Sequence, residues 1–212
     1  GGFYRFSYDI TELLNLGKKN QLEVKVAKES ANRSINAAER KADWWLFGGI
    51  YRPVWLEVLP QIHMKHFVLS ADHKGKFQAS IDMEGDAKGH EIVVSVRSLK
   101  DGKTVYTSNG QTTITHPINN SGKEQMISGE WTNIVPWSTE APNLYVVKLE
   151  LKNPEGKIVQ TRETRIGFRT VEFFPQDGVY LNGTKLVIKG INRHSFSVDG
   201  GRTTNAALSR MD

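Results

Sequence analysis

The chain has 212 residues, 38% hydrophobic and 24% charged, which suits one large or two small globular domains and excludes intrinsic disorder. Its net charge of +5 is spread, with basic clusters no longer than the pairs Lys18-Lys19 and Arg40-Lys41, so no nucleic-acid stripe is predicted. No apolar run approaches a membrane span, and the absence of cysteine excludes a disulfide frame and a thiolate zinc site while fitting cytoplasm and periplasm equally.

Strand signals dominate the chain. The first element is an exception, a short helix from Thr11 to Leu16 stopped by Gly17. Leu22, Val24 and Val26 then alternate with Glu23 and Lys25, the pattern of a half-buried strand. A long polar loop follows from Lys28 to Lys41. Val54, Leu56 and Val58 alternate with Trp55 and Glu57 before Pro60 ends the segment. Further alternating faces are Phe77, Ala79, Ile81 and Met83, and then Ile92, Val94 and Val96. Leu144 to Leu151 is apolar on both faces, which predicts a central strand buried on each side. Ile158 to Ile166 alternates again. Turns are expected at Asp101-Gly102, Asn153 to Gly156, and Asn182-Gly183. The last separates Val179–Leu181 from Lys185–Ile188, a strong hairpin signal. After the loop Asn192 to Arg202, Thr203 or Thr204 can cap a helix beginning at Asn205.

Three segments emerge, 1–60, 61–168 and 169–212. The middle one has the short strands and frequent turns of an immunoglobulin-like β-sandwich without the cysteine pair of antibody domains. The chain opens with Phe3 inside an expected strand and stops at Asp212 inside an expected helix, so an internal piece of a longer protein is predicted. No secretory leader is visible at Gly1 to Arg5.

No self-contained catalytic motif is present: there is no His-Glu-x-x-His, no phosphate-binding glycine loop and no Gly-x-Ser-x-Gly elbow. His63, His66, His73, His90 and His116 are scattered, and structural roles or plain exposure are expected for them. Two stretches stand out. In Asp43 to Arg52, Trp44 and Trp45 are candidates for a sugar-stacking platform, the alternative being aromatic plugs at the end of a sandwich. In Lys189-Gly190-Ile191-Asn192-Arg193-His194, an apolar strand ends in polar residues ahead of a loop and a helix. Residues at that position line the active site of a β/α barrel, the alternative being an ordinary strand end facing water.

Together these stretches resemble glycoside hydrolase family 2, the group of β-galactosidases, β-glucuronidases and β-mannosidases. Phe6 to Thr11 with Asn20 to Val24 is similar to late strands of that family's jelly-roll domain, and Asp43-Trp44 with Gly48 to Val54 to its loop and final strand. Trp137-Ser138 with Pro142 to Tyr145, closed by Ile166 to Arg169, resembles the immunoglobulin-like middle domain. Leu181-Asn182-Gly183 and Lys189 to His194 resemble the start of the catalytic barrel. The resemblance spans essentially the whole chain. It implies an all-β fold: a partial jelly-roll sandwich, an immunoglobulin-like β-sandwich and the truncated start of a (β/α)8 barrel. It further implies that the parent is a retaining hydrolase of terminal β-linked glycosides, with galactosides favoured and two carboxylates roughly 5 Å apart. Both carboxylates would lie beyond Asp212, so no residue here is assigned a catalytic role and the isolated chain is expected to be inactive. Asp43 and His194 would bind sugar hydroxyls in the parent, with Asn192 and Arg193 bracing the barrel. The residue after the Asn-Arg-His triplet is Ser195, where β-galactosidases of the family usually carry glutamate, which leaves the sugar open. No cofactor or metal is assigned to this chain, while a metal ion in the parent's barrel and a homo-oligomeric parent stay open. The rival readings are a non-catalytic carbohydrate-binding module and an inter-domain spacer.

Overall fold

The structure is a computed structural model describing residues 5–41, 48–50, 52–194, 196–201, 203 and 205–211. Alternation of apolar and polar residues becomes seven strands: β1 (His63–Ala71), β2 (Lys76–Glu84), β3 (Glu91–Ser98), β4 (Thr113–Pro117), β5 (Glu124–Glu130), β6 (Tyr145–Lys152) and β7 (Ile158–Ile166). They form two antiparallel sheets in the orders β1-β2-β5 and β4-β3-β6-β7. This is an immunoglobulin-type order, with the chain changing sheets between β2 and β3, β4 and β5, and β5 and β6.

The inward set of each strand builds one core. Phe77, Ala79, Ile81 and Met83 of β2 join Ile92, Val94 and Val96 of β3, Ile127 of β5, and Val147, Leu149 and Leu151 of β6. Each large side chain removed from water contributes about 1.5–3 kcal/mol, which is what holds two sheets without a disulfide. β6 is central as expected, lying between β3 and β7. Its outward face is less apolar than expected: Val146 is buried, but Lys148, Glu150 and Lys152 are half-exposed, and Lys152 Nζ meets Glu91 Oε1 at 3.2 Å. The first residue of β6 pins the preceding connection. The Tyr145 hydroxyl accepts a hydrogen bond from Val135 N at 2.7 Å and donates to Val135 O at 3.4 Å, the geometry of a tyrosine corner.

A third sheet follows, β10-β9-β8, made of β8 (Val171–Phe174), β9 (Gly178–Leu181) and β10 (Thr184–Leu186). The expected Asn182-Gly183 hairpin is present. Thr184 pairs with Leu181, and the two turn residues have φ of 52° and 80°, both positive as a type I′ turn requires. The strand expected from Lys185 to Ile191 stops at Leu186, and Val187, Ile188 and Ile191 are exposed. A barrel strand needs a hydrogen-bonded neighbour on each side, and among the described residues beyond Leu186 the structure shows no strand ladder, only the isolated bridge between Ser197 and Gly201.

The first segment also differs from expectation. Among the described residues it holds a 3₁₀ turn at Thr11–Leu13 and a helix α1 at Arg33–Arg40, and no strand. Leu22, Val24, Val26, Val54, Leu56 and Val58 are all exposed. An alternating segment becomes a strand only when a ladder satisfies its N–H and C=O groups, and none of the described residues supplies one here. The expected polar loop contains α1 because Asn32 caps it: its Oδ1 accepts from Ser34 N at 3.0 Å and Ile35 N at 3.2 Å. The early turn is shorter than predicted but starts on a similar device, with Asp9 Oδ1 accepting from Thr11 N and Oγ1 at 3.0 and 2.7 Å. The chain divides into two compact units, Glu57–Gly190, which holds all three sheets, and Gly1–Leu56 with Ile191–Asp212. No helix among the described residues is long and apolar enough to cross a membrane.

Candidate functional site

Asp43, Trp44 and Trp45 lie outside the described residues, as does Ser195. His194 is described. It is exposed, it lies in the irregular stretch that begins at Val187, and it belongs to the unit formed by Gly1–Leu56 and Ile191–Asp212. Its pairing with Asp43 therefore rests on the sequence. Beyond it the loop closes on itself. Ser197 N donates to Gly201 O at 2.8 Å and Gly201 N to Ser197 O at 2.9 Å, while Gly200 N donates to Ser197 Oγ at 3.0 Å. Helix α2 (Ala206–Met211) is capped by Asn205, whose Oδ1 accepts from Leu208 N at 2.8 Å. The cap is thus one or two residues later than the threonines expected from sequence, because the Asn205 amide reaches the third residue ahead.

The other histidines fit structural roles. His63 Nδ1 lies 2.8 Å from Pro60 O, His73 Nδ1 2.6 Å from Thr170 Oγ1, and His116 Nε2 3.2 Å from Gln125 Oε1. His66 is exposed, with Nδ1 3.9 Å from Asp82 Oδ2, and His90 is buried. Among the described residues no group of three or more His, Asp or Glu side chains is placed to hold a metal ion.

Three carboxylates, Asp177, Glu84 and Asp101, are partnered in a way that opposes proton donation. Asp177 accepts from Lys185 Nζ and from the Tyr180 hydroxyl, both at 2.6 Å, which holds its carboxyl below the usual range and pushes the tyrosine up. Glu84 is lowered by the hydrogen bond from Lys65. Asp101 is lowered to about 2 by hydrogen bonds from the Ser98 side chain and from the backbone and ammonium of Lys103. A general acid of a glycosidase needs the opposite shift. Glu172 stands exposed on β8.

Comparison with known proteins turns on the sandwich. Residues 61–169 match the family model described as glycosyl hydrolases family 2. This chain belongs to that family. The family 2 match takes in β1 to β7, so membership is carried by the immunoglobulin-like strands rather than by a catalytic group. Over its full length the family 2 chain is 30% identical to the β-galactosidase BgaC of Bifidobacterium adolescentis, of which it covers 20%. It is also 30% identical, over 97% of its length, to a β-galactosidase of Priestia megaterium, of which it covers 19%. The β-glucuronidase of Parabacteroides merdae with glycerol in its active site aligns over 80% of this chain and 22% of its own, with a TM-score of 0.63 and 25% identity. A Bacteroides uniformis β-glucuronidase aligns over 88% of this chain and 23% of its own, with a TM-score of 0.63, and at 24% identity shows the fold alone. The family 2 chain thus spans about a fifth of the length of the curated relatives it matches.

Proposed function

We propose that this chain is the accessory β-sandwich region of a retaining family 2 glycosidase that hydrolyses terminal β-linked glycosides in carbohydrate catabolism, with β-galactosides the favoured substrates. The observation that carries the proposal is the family 2 match across the sandwich, joined by 30% identity over the whole chain to a β-galactosidase. In this reading 1–60 belongs to a jelly-roll domain, 61–168 is the immunoglobulin-like domain, and 169–212 leads into the catalytic barrel. The acid/base and nucleophile of the parent are carboxylates outside these 212 residues.

Purified chain is expected to show no turnover of nitrophenyl β-galactoside, β-glucuronide or β-mannoside, since loss of acid–base catalysis alone costs roughly 10²–10⁴-fold. Turnover that co-purifies with the chain through contaminant controls would overturn the assignment. In the full-length enzyme, His194→Ala and Asp43→Asn are each expected to lower kcat/KM about ten- to a hundredfold with the melting temperature unchanged. A hydrogen bond to a sugar hydroxyl that tightens in the transition state contributes about 1–3 kcal/mol. A lowered melting temperature with unchanged kcat/KM per folded molecule would remove both residues from the site.

A further inference from the structure

The turn between β9 and β10 requires positive φ at Asn182 and Gly183, a demand that glycine meets as well as asparagine does. The Asn182 side chain is therefore free for other work, and the structure employs it. Its Oδ1 accepts from Thr170 N at 2.9 Å and its Nδ2 donates to Trp137 O at 2.9 Å, while its backbone N donates to Thr170 O at 2.9 Å. Trp137 lies on the connection from β5 to β6, and its N donates to Phe168 O at 2.9 Å. Its side chain covers Gly167, where an added Cβ would stand 2.7 Å from Trp137 Cβ and 2.8 Å from its Cγ, and the Arg169 guanidinium sits 4.8 Å from the ring centroid. The β1–β2 turn grips the same passage: Thr170 Oγ1 accepts from His73 N at 3.3 Å, and Arg169 N donates to Ala71 O at 3.1 Å.

Residues 167–170 are thus held from three sides where the chain leaves the sandwich. The sheet that follows has little to hold it otherwise. β8 is exposed at all four positions, and Leu181 is the only buried residue in the three strands. So small a sheet with one buried side chain is not stable alone.

We propose that Asn182 is a latch, its side-chain amide fastening the β8–β10 sheet to the sandwich so that the sandwich dictates the course of the chain from Phe168 to Leu186. The proposal stands on this geometry and does not depend on the proposed activity.

Hydrogen exchange on the chain tests it with two variants. Asn182→Gly keeps positive φ and removes both side-chain bonds. Asn182→Asp keeps the acceptor for Thr170 N but loses the donor to Trp137 O. In Asn182→Gly the amides from Val179 to Leu186 are expected to exchange about ten- to a hundredfold faster, while those of Val94 and Leu149 are unchanged. Asn182→Asp is expected to show the same local acceleration to a smaller extent. Unchanged protection of the hairpin in Asn182→Gly overturns the proposal. So does equal acceleration across β3 and β6, which would make Asn182 an ordinary member of one cooperative core. Loss of folding in both variants also overturns it, because the sandwich would then depend on the sheet rather than the reverse.

Discussion

Gly75→Ala is expected to destabilise the sandwich by about 3 kcal/mol or more, from two costs that act together. Gly75 lies in the β1–β2 turn with φ of 102°, where an L side chain is strained by about 1–3 kcal/mol. An added Cβ would also stand 2.0 Å from Trp131 O and 3.1 Å from Ile134 Cδ1. The obstacle is backbone, and it cannot step aside freely. Trp131 N donates to Gly75 O at 2.9 Å, and the turn is stapled by Asp72, whose Oδ1 accepts from Lys74 N at 2.8 Å and Lys76 N at 3.0 Å. Gly102→Ala is the control: its φ of 72° carries strain, but nothing lies within 4 Å, so about 1 kcal/mol is expected. Urea unfolding at constant m measures both. A cost for Gly75→Ala no greater than that of Gly102→Ala would show that the turn reshapes without penalty.

Trp131→Ala is expected to cost about 3–5 kcal/mol, the range for deleting a fully buried aromatic side chain. Trp131 is 0% exposed and heads the largest buried side chains, with its ring edge-on to Phe77 at 6.4 Å and 83°. Its Nε1 is buried without a hydrogen-bond partner, so the indole combines a favourable packing term with an unfavourable polar one. Phenylalanine at this position keeps a ring against Phe77 and removes the unpartnered donor, whose burial costs about 1–3 kcal/mol. Trp131→Phe is therefore expected to cost less than half as much as Trp131→Ala. Equal costs for the two would mean that the indole N–H is satisfied in solution.

The locations of these sensitive points were unevenly legible. The faces at 77–83 and 92–96 are legible because an inward set at every second residue is needed whichever strands become neighbours, whereas in β7 Ile158 is exposed and Val159 packs on the core, where the register with β6 shifts. β4 and β5 were not anticipated. β4 is short, and the inward set of β5 includes Gln125, whose Nε2 donates to Gly122 O at 2.7 Å. A buried amide reads as polar until its partners are known. Asn182-Gly183 was legible as a turn, since positive φ is a local demand, but its side-chain bonds join residues 12 and 45 positions away and leave no local mark.

Alternation, turn chemistry and ordered motifs are properties of the chain, and they suffice for the class of the central domain, the hairpin after it and the family. They also single out His194 and the Asp43–Trp45 stretch as candidates for the site. Which alternating segments become strands depends on pairing with distant parts of the chain. Phe77 to Met83 lies between β1 and β5 and forms full ladders, whereas Leu22 to Val26 and Val54 to Val58 carry an equally good pattern and form none among the described residues. The physical reason is that a helix satisfies its backbone within one segment, as α1 does behind its Asn32 cap, while a strand is completed only by hydrogen bonds to another strand.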